Sequence, residues 1–147
     1  MKKEKSDVIN TIRKTMPSVV SIIISKSLKE LEKDMPMDLL PFLPFHAPKV
    51  APEDVDANGM VKIGGGSGFI GQTDGIIVTN KHVVSEPHAE YTVIADSGDK
   101  FEAQVLARDP ISDVALLKIK ADHLPVINLG DSTGVELGQT VLAIGNS

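Results

Sequence analysis

The chain has 147 residues, and fifteen basic against twenty acidic side chains give it a net charge of −5. That length suits one ordinary domain, and the mild acidity excludes a general nucleic-acid role, which needs a concentrated basic surface against phosphates. Aromatic residues make up 3% of the sequence and hydrophobic residues 41%, with no cysteine; the core must therefore be aliphatic, without disulfide or thiol chemistry.

Residues 5–16 are expected to form a short helix, with Val8, Ile9, Ile12 and Met16 on one side and Pro17 as its stop. Lys2, Lys3, Lys5, Arg13 and Lys14 alternate with Glu4 and Asp7, as on a solvated helix face. A first strand follows over 18–25. Its apolar stretch Val19–Ile24 is too short, and comes too late, for an export signal or a membrane span. Residues 26–62 carry Pro36, Pro41, Pro44, Pro48 and Pro52, which prevent any long element and suggest a surface insertion, although Leu28, Leu31 and Met35 have helical spacing. Within it, Leu39, Leu40, Phe42, Leu43 and Phe45 form either a contact surface or a minor core folded back on the body of the protein.

Strands are then expected at Gly68–Gly71 and Ile76–Thr79, joined by a turn at Thr73-Asp74-Gly75, and at Tyr91–Ala95 and Lys100–Arg108, joined by a turn at 96–99. Further strands are expected at Asp113–Ile119, Val126–Leu129 and Leu137–Ile144. Short strands at regular intervals with Gly/Asp turns indicate an all-β antiparallel barrel or sandwich.

Two runs carry chemistry. Thr79-Asn80-Lys81-His82-Val83-Val84 sets a histidine just after a strand, and Asp109-Pro110-Ile111-Ser112-Asp113-Val114 sets an aspartate at the start of another. They look like two thirds of a serine-protease triad, in which the histidine takes a proton from a serine and the aspartate fixes its tautomer and orientation. The nucleophile is not in these runs. Ser67, in Gly66-Ser67-Gly68-Phe69, lacks the second glycine of a nucleophile elbow because Phe69 stands there. His46, His88 and His123 show no metal-ligand spacing.

From Pro17 onward the chain resembles the HtrA (Deg) family of trypsin-like serine endopeptidases. The resemblance is carried in family order by Pro17-Ser18-Val19-Val20, Gly66 to Ile70, the His82 run, the Asp113 run, Leu129-Gly130-Asp131-Ser132 and Val141 to Asn146. It implies a chymotrypsin/trypsin-like β-barrel fold, with 1–16 an N-terminal helix and 17–132 the first barrel, interrupted by the insertion at 26–62. It implies that 133–147 begin a second barrel. By resemblance His82 is the catalytic general base and Asp113 its partner, since Asp113 abuts the Val114–Leu117 strand while Asp109 precedes a proline and forms a turn. Ser147 imitates the start of a Gly-Asn-Ser-Gly-Gly turn, yet the preceding Val141–Ile144 matches the opening of a second barrel, so the catalytic serine is expected beyond it.

The chain is accordingly expected to be an N-terminal fragment, inactive alone, of an enzyme that hydrolyses unfolded or damaged proteins through an acyl-enzyme. No cofactor or metal is expected. By resemblance the intact protein is a trimer or higher homo-oligomer of the cell envelope, and a PDZ domain can follow its protease domain. The alternative is a non-catalytic β-barrel that serves as a binding, assembly or chaperone-like module.

Overall fold

A computed structural model of the chain describes residues 2–34 and 52–146. In it six strands, β1 (Val19–Ser27), β2 (Met60–Gln72), β3 (Ile76–Thr79), β4 (Glu90–Ile94), β5 (Lys100–Arg108) and β6 (Ala115–Ile119), follow helix α1 (Lys2–Thr15), with a two-turn helix α2 (Leu28–Asp34) after β1. The strands close into an antiparallel barrel in the order β1-β2-β3-β6-β5-β4, with β4 returning to pair with β1. Closure leaves the barrel with no free sheet edge.

Alternation along the strands builds the core. Ile77 and Thr79 of β3 face inward opposite Leu117 and Ala115 of β6, and Val20 and Ile22 of β1 join them with Ile70, Val84, Val93 and Ile119. These side chains are aliphatic, as the composition requires, and Tyr91 is the one aromatic among the fully buried residues of the cluster. Phe101 packs against it from a partly buried position.

The largest departure from expectation is β2, which is thirteen residues long and runs through the glycine cluster. Gly64, Gly66 and Gly68 pair with Ile24, Ile22 and Val20 of β1. They fall on the inward face, where the large β1 side chains already fill the barrel. A Cβ on Gly68 would lie 2.8 Å from the Val78 carbonyl oxygen. Glycine marks a close approach of neighbouring elements here, and the strand continues through it. The insertion is therefore shorter than 26–62, because β1 runs to Ser27 and β2 begins at Met60. The apolar cluster Leu39, Leu40, Phe42, Leu43 and Phe45 lies outside the described residues, as do His46 and Ser147.

Two expected strands do not form. Val126–Leu129 and Leu137–Ile144 carry strand-type sequence but make no ladder among the described residues. A strand is stabilised by a hydrogen-bonded neighbour, and every strand of the closed barrel already has two. The segment at 126–129 touches β2 through one backbone bond, from Ile127 N–H to the Ile70 carbonyl at 3.1 Å. The other reaches the barrel at its end, where Asn146 N–H donates to Ser67 Oγ at 2.9 Å and Ser21 Oγ donates to the Asn146 carbonyl. Ser21 and Ser67 are direct cross-strand partners.

Candidate active site

β3 ends at Thr79, whose hydroxyl donates to the Ser67 carbonyl at 2.8 Å. The chain then turns through a short 3-10 segment, Lys81–Val84. Val83 and Val84 are buried in the core, which anchors the turn and leaves His82 on its outer side. Gly66 makes room for this packing, since a Cβ there would lie 2.7 Å from both methyl carbons of Val83.

Asp113 precedes β6 and brackets the turn. Its Oδ1 accepts the His82 backbone N–H at 2.9 Å and its Oδ2 lies 2.6 Å from His82 Nδ1. Its carbonyl accepts Asn80 Nδ2 at 3.1 Å and the Lys81 N–H at 3.2 Å. The backbone N–H of His82, and next its imidazole, hold the Asp113 carboxyl below the ordinary aspartate value. An ionised carboxylate only accepts, so Nδ1 carries the proton and Nε2 presents its lone pair. Among the described residues nothing hydrogen-bonds Nε2, and the His82 side chain is 72% exposed.

Asp109, the competing carboxylate, is used locally. Its Oδ1 accepts the N–H groups of Ile111 at 2.7 Å and Ser112 at 2.8 Å, and these bonds, Ser112 first, lower its pKa. Lys81 Nζ donates to its carbonyl at 2.9 Å. Asp109 thus shapes the loop that delivers Asp113 to the histidine turn. His88 and His123 are exposed, each at positive φ, and among the described residues no group of side chains suits a metal ion.

A cleft of about 820 Å³ opens beside the pair, walled by Ser85 to Tyr91 and by Glu102, Ala103, Val105 and Arg108 of β5. A second hollow, of about 430 Å³, lies on the other side of β3, where Val19, Phe69, Val78 and Val114 meet Ile127, Leu142 and Ile144. Sequence reading missed the supports of the turn's far side. Arg108 Nε donates to the Val84 carbonyl at 2.8 Å and Tyr91 OH to the Glu86 carbonyl at 3.1 Å. The first spans 24 positions and the second five, and both end on backbone carbonyls, which no residue type marks in the sequence.

A closed antiparallel barrel carrying a histidine and an aspartate at one rim is the architecture of a trypsin-like peptidase. The family model described as trypsin-like peptidase domain matches residues 66–147, more than half of the chain, and the chain belongs to that family. It is similar to proteins named probable periplasmic serine endoprotease DegP-like, which supports the HtrA (Deg) resemblance seen in the motifs. The one from Pseudomonas fulva is 46% identical over 55% of this chain and 17% of its own length. That from Halomonas elongata is 47% identical over the same shares, 55% and 17%, and that from Chlamydia trachomatis is 38% identical over 71% and 20%. The chain thus spans about a fifth of the length of these relatives. Among the described residues no helix is long and apolar enough to cross a membrane.

Proposed function

We propose that this chain supplies the histidine and aspartate of a serine endopeptidase, with His82 as general base and Asp113 as the residue that orients it. The observation that carries the reading is the bracket around His82, in which one carboxylate takes both the backbone N–H at 2.9 Å and Nδ1 at 2.6 Å. Nε2 is then free to take the proton of an attacking serine, and Asp113 stabilises the imidazolium that results. The hydroxyl attacks the scissile carbonyl, the amine leaves with the proton from His82, and water hydrolyses the acyl-enzyme.

In this reading residues 17–132 are the first barrel of the protease and 133–147 lead into the second, where the nucleophile and oxyanion donors reside. Among the described residues no serine is bonded to Nε2, and the 147 residues alone are expected to be inactive. The relatives are named periplasmic serine endoproteases, which supports peptide-bond hydrolysis in the cell envelope. Family resemblance adds unfolded or damaged proteins as substrates and a trimeric or larger assembly. A non-catalytic binding module would have no use for the bracket around His82.

The test begins with the coding sequence past codon 147, where an in-frame Gly-Asn-Ser-Gly-Gly is expected. In the protein so encoded, hydrolysis of an unfolded protein is measured for His82→Ala and Asp113→Asn. In comparable triads the aspartate-to-asparagine change lowers kcat about 10⁴-fold by imposing the wrong tautomer, and removing the histidine costs on the order of 10⁶-fold. Wild-type turnover in either variant refutes the assignment.

A further inference from the structure

The inward row of β1 runs Val20, Ile22, Ile24 and then Lys26, a charged residue only 1% exposed. A buried ammonium is costly unless carboxylates meet it. Two do: Glu86 Oε1 lies 2.7 Å from Nζ, and Asp34 Oδ2 is in close contact with it. Hydrogen bonds to Asp34, and then to Glu86, outweigh the effect of burial and raise the Lys26 pKa above the ordinary lysine value. The side chain is therefore a fixed cation at the mouth of the barrel.

Its two partners belong to different parts of the molecule. Asp34 ends α2, whereas Glu86 lies four residues after His82, on the segment that leaves the histidine turn. That segment is tied repeatedly. Ser85 Oγ donates to the His82 carbonyl at 2.9 Å, Arg108 Nε to the Val84 carbonyl at 2.8 Å and Tyr91 OH to the Glu86 carbonyl at 3.1 Å. In this series the Lys26–Glu86 contact is the one charge-charge bond, and it anchors a side chain of the segment. Asp113 holds the turn from the opposite side through the His82 N–H.

We propose that Lys26 is a positioning residue, which by gripping Glu86 fixes the segment leaving the histidine turn and keeps the His82 imidazole in register with Asp113. The proposal rests on the reading of His82 and Asp113 as a catalytic pair, but what it governs is the geometry of the turn, measurable without substrate. When the grip is removed, the half-exposed Glu86 carboxylate turns to water, and residues 82–86 keep the core packing of Val83 and Val84 and the neutral and side-chain-to-carbonyl bonds but lose their charge-charge tie.

The experiment uses the 147-residue chain labelled uniformly with ¹⁵N, reading the tautomer of His82 and the hydrogen exchange of the His82 and Val83 amides. Val83 N–H donates to the Asn80 carbonyl at 3.2 Å, so both amides report the turn itself. Glu86→Ala is expected to speed their exchange about tenfold, as losing one charge-assisted bond should, and to turn a single Nδ1–H tautomer into a mixture. Lys26→Met is expected to do the same. Asp34→Asn, which weakens only the α2 side of the lysine, is expected to leave both readouts at wild type. Glu86 is half-exposed, so its variant tests the idea even where Lys26→Met does not fold. Wild-type exchange and tautomer in Glu86→Ala overturn the proposal, and so does an Asp34→Asn variant that reproduces the loosening. A wild-type chain without the Nδ1–H tautomer instead defeats the catalytic pairing, and the amide exchange still decides the role of Lys26.

Discussion

Gly66 sets how closely the histidine turn can approach the barrel wall. Val83, against which its Cβ would press at 2.7 Å, is β-branched and has little rotamer freedom; it also follows His82 directly, so relief of the clash must move the turn. Gly66→Ala is expected to lower stability by about 1–3 kcal/mol, the usual range for overpacking, and to shift the His82 and Val83 resonances. A urea midpoint equal to wild type would show that Val83 yields without cost. Asp113 gives a pH-dependent counterpart. Its carboxyl is held below the ordinary value by the His82 N–H and then the imidazole, whereas in the unfolded chain it titrates at about 3.9. The native state therefore resists protonation. Its contribution to stability is complete above the unfolded value and is lost as pH falls through the lower native one. The ionisation of Asp113, followed by its own carboxyl ¹³C resonance, is expected only below the ordinary aspartate range, and Asp113→Asn should abolish that transition. A midpoint at or above the ordinary range would contradict this.

At the level of elements, legibility followed the distance over which the cause acts. Ile76–Thr79 and Lys100–Arg108 form strands with the bounds read from sequence, because Asp74-Gly75 and the 96–99 turn punctuate them locally. Gly75 and Gly98 adopt the positive φ that such turns require, +100° and +89°. The expected strand Gly68–Gly71 covers only the end of β2, because the reason for the glycines before it lies across the barrel in Ile22 and Ile24. The opposite error arose at 137–144, where strand composition is present and a pairing neighbour is absent among the described residues. The candidate site divides in the same way. His82 and Asp113 stand in short runs, and Asp109 beside the second does local work that a sequence displays. Lys26 and Glu86 lie sixty positions apart, and Lys26 looks like an ordinary surface lysine until β1 is seen to carry it inward. Ser67 bonds Asn146 N–H beside its cross-strand partner Ser21, a contact with no signal of its own in the sequence.

Over the whole molecule, the apolar surface is unevenly distributed. The barrel interior is closed, yet Leu137 is 106% exposed and Val141 70%, with Val135 and Leu142 also in water. Helix α1 adds to this side, since Val8, Thr11 and Thr15 share a hollow with Thr140, Leu142 and Ile144, and Ile9 and Ile12 are themselves exposed. Apolar side chains grouped in this way favour contact with a second apolar surface. In solution the nearest one belongs to another copy of the chain, so the isolated 147 residues are expected to associate in a concentration-dependent way. Burying a large aliphatic side chain is worth about 1.5–3 kcal/mol. Replacing Leu137 and Val141 together with glutamate should therefore weaken association at least about tenfold, as read by sedimentation equilibrium. Neither side chain belongs to the buried cluster that fills the barrel, so thermal unfolding of the barrel should be unchanged. Association that persists undiminished in the double variant would mean that another surface drives it, while a fall in barrel stability would mean that the 137–144 segment packs more tightly than its exposure indicates.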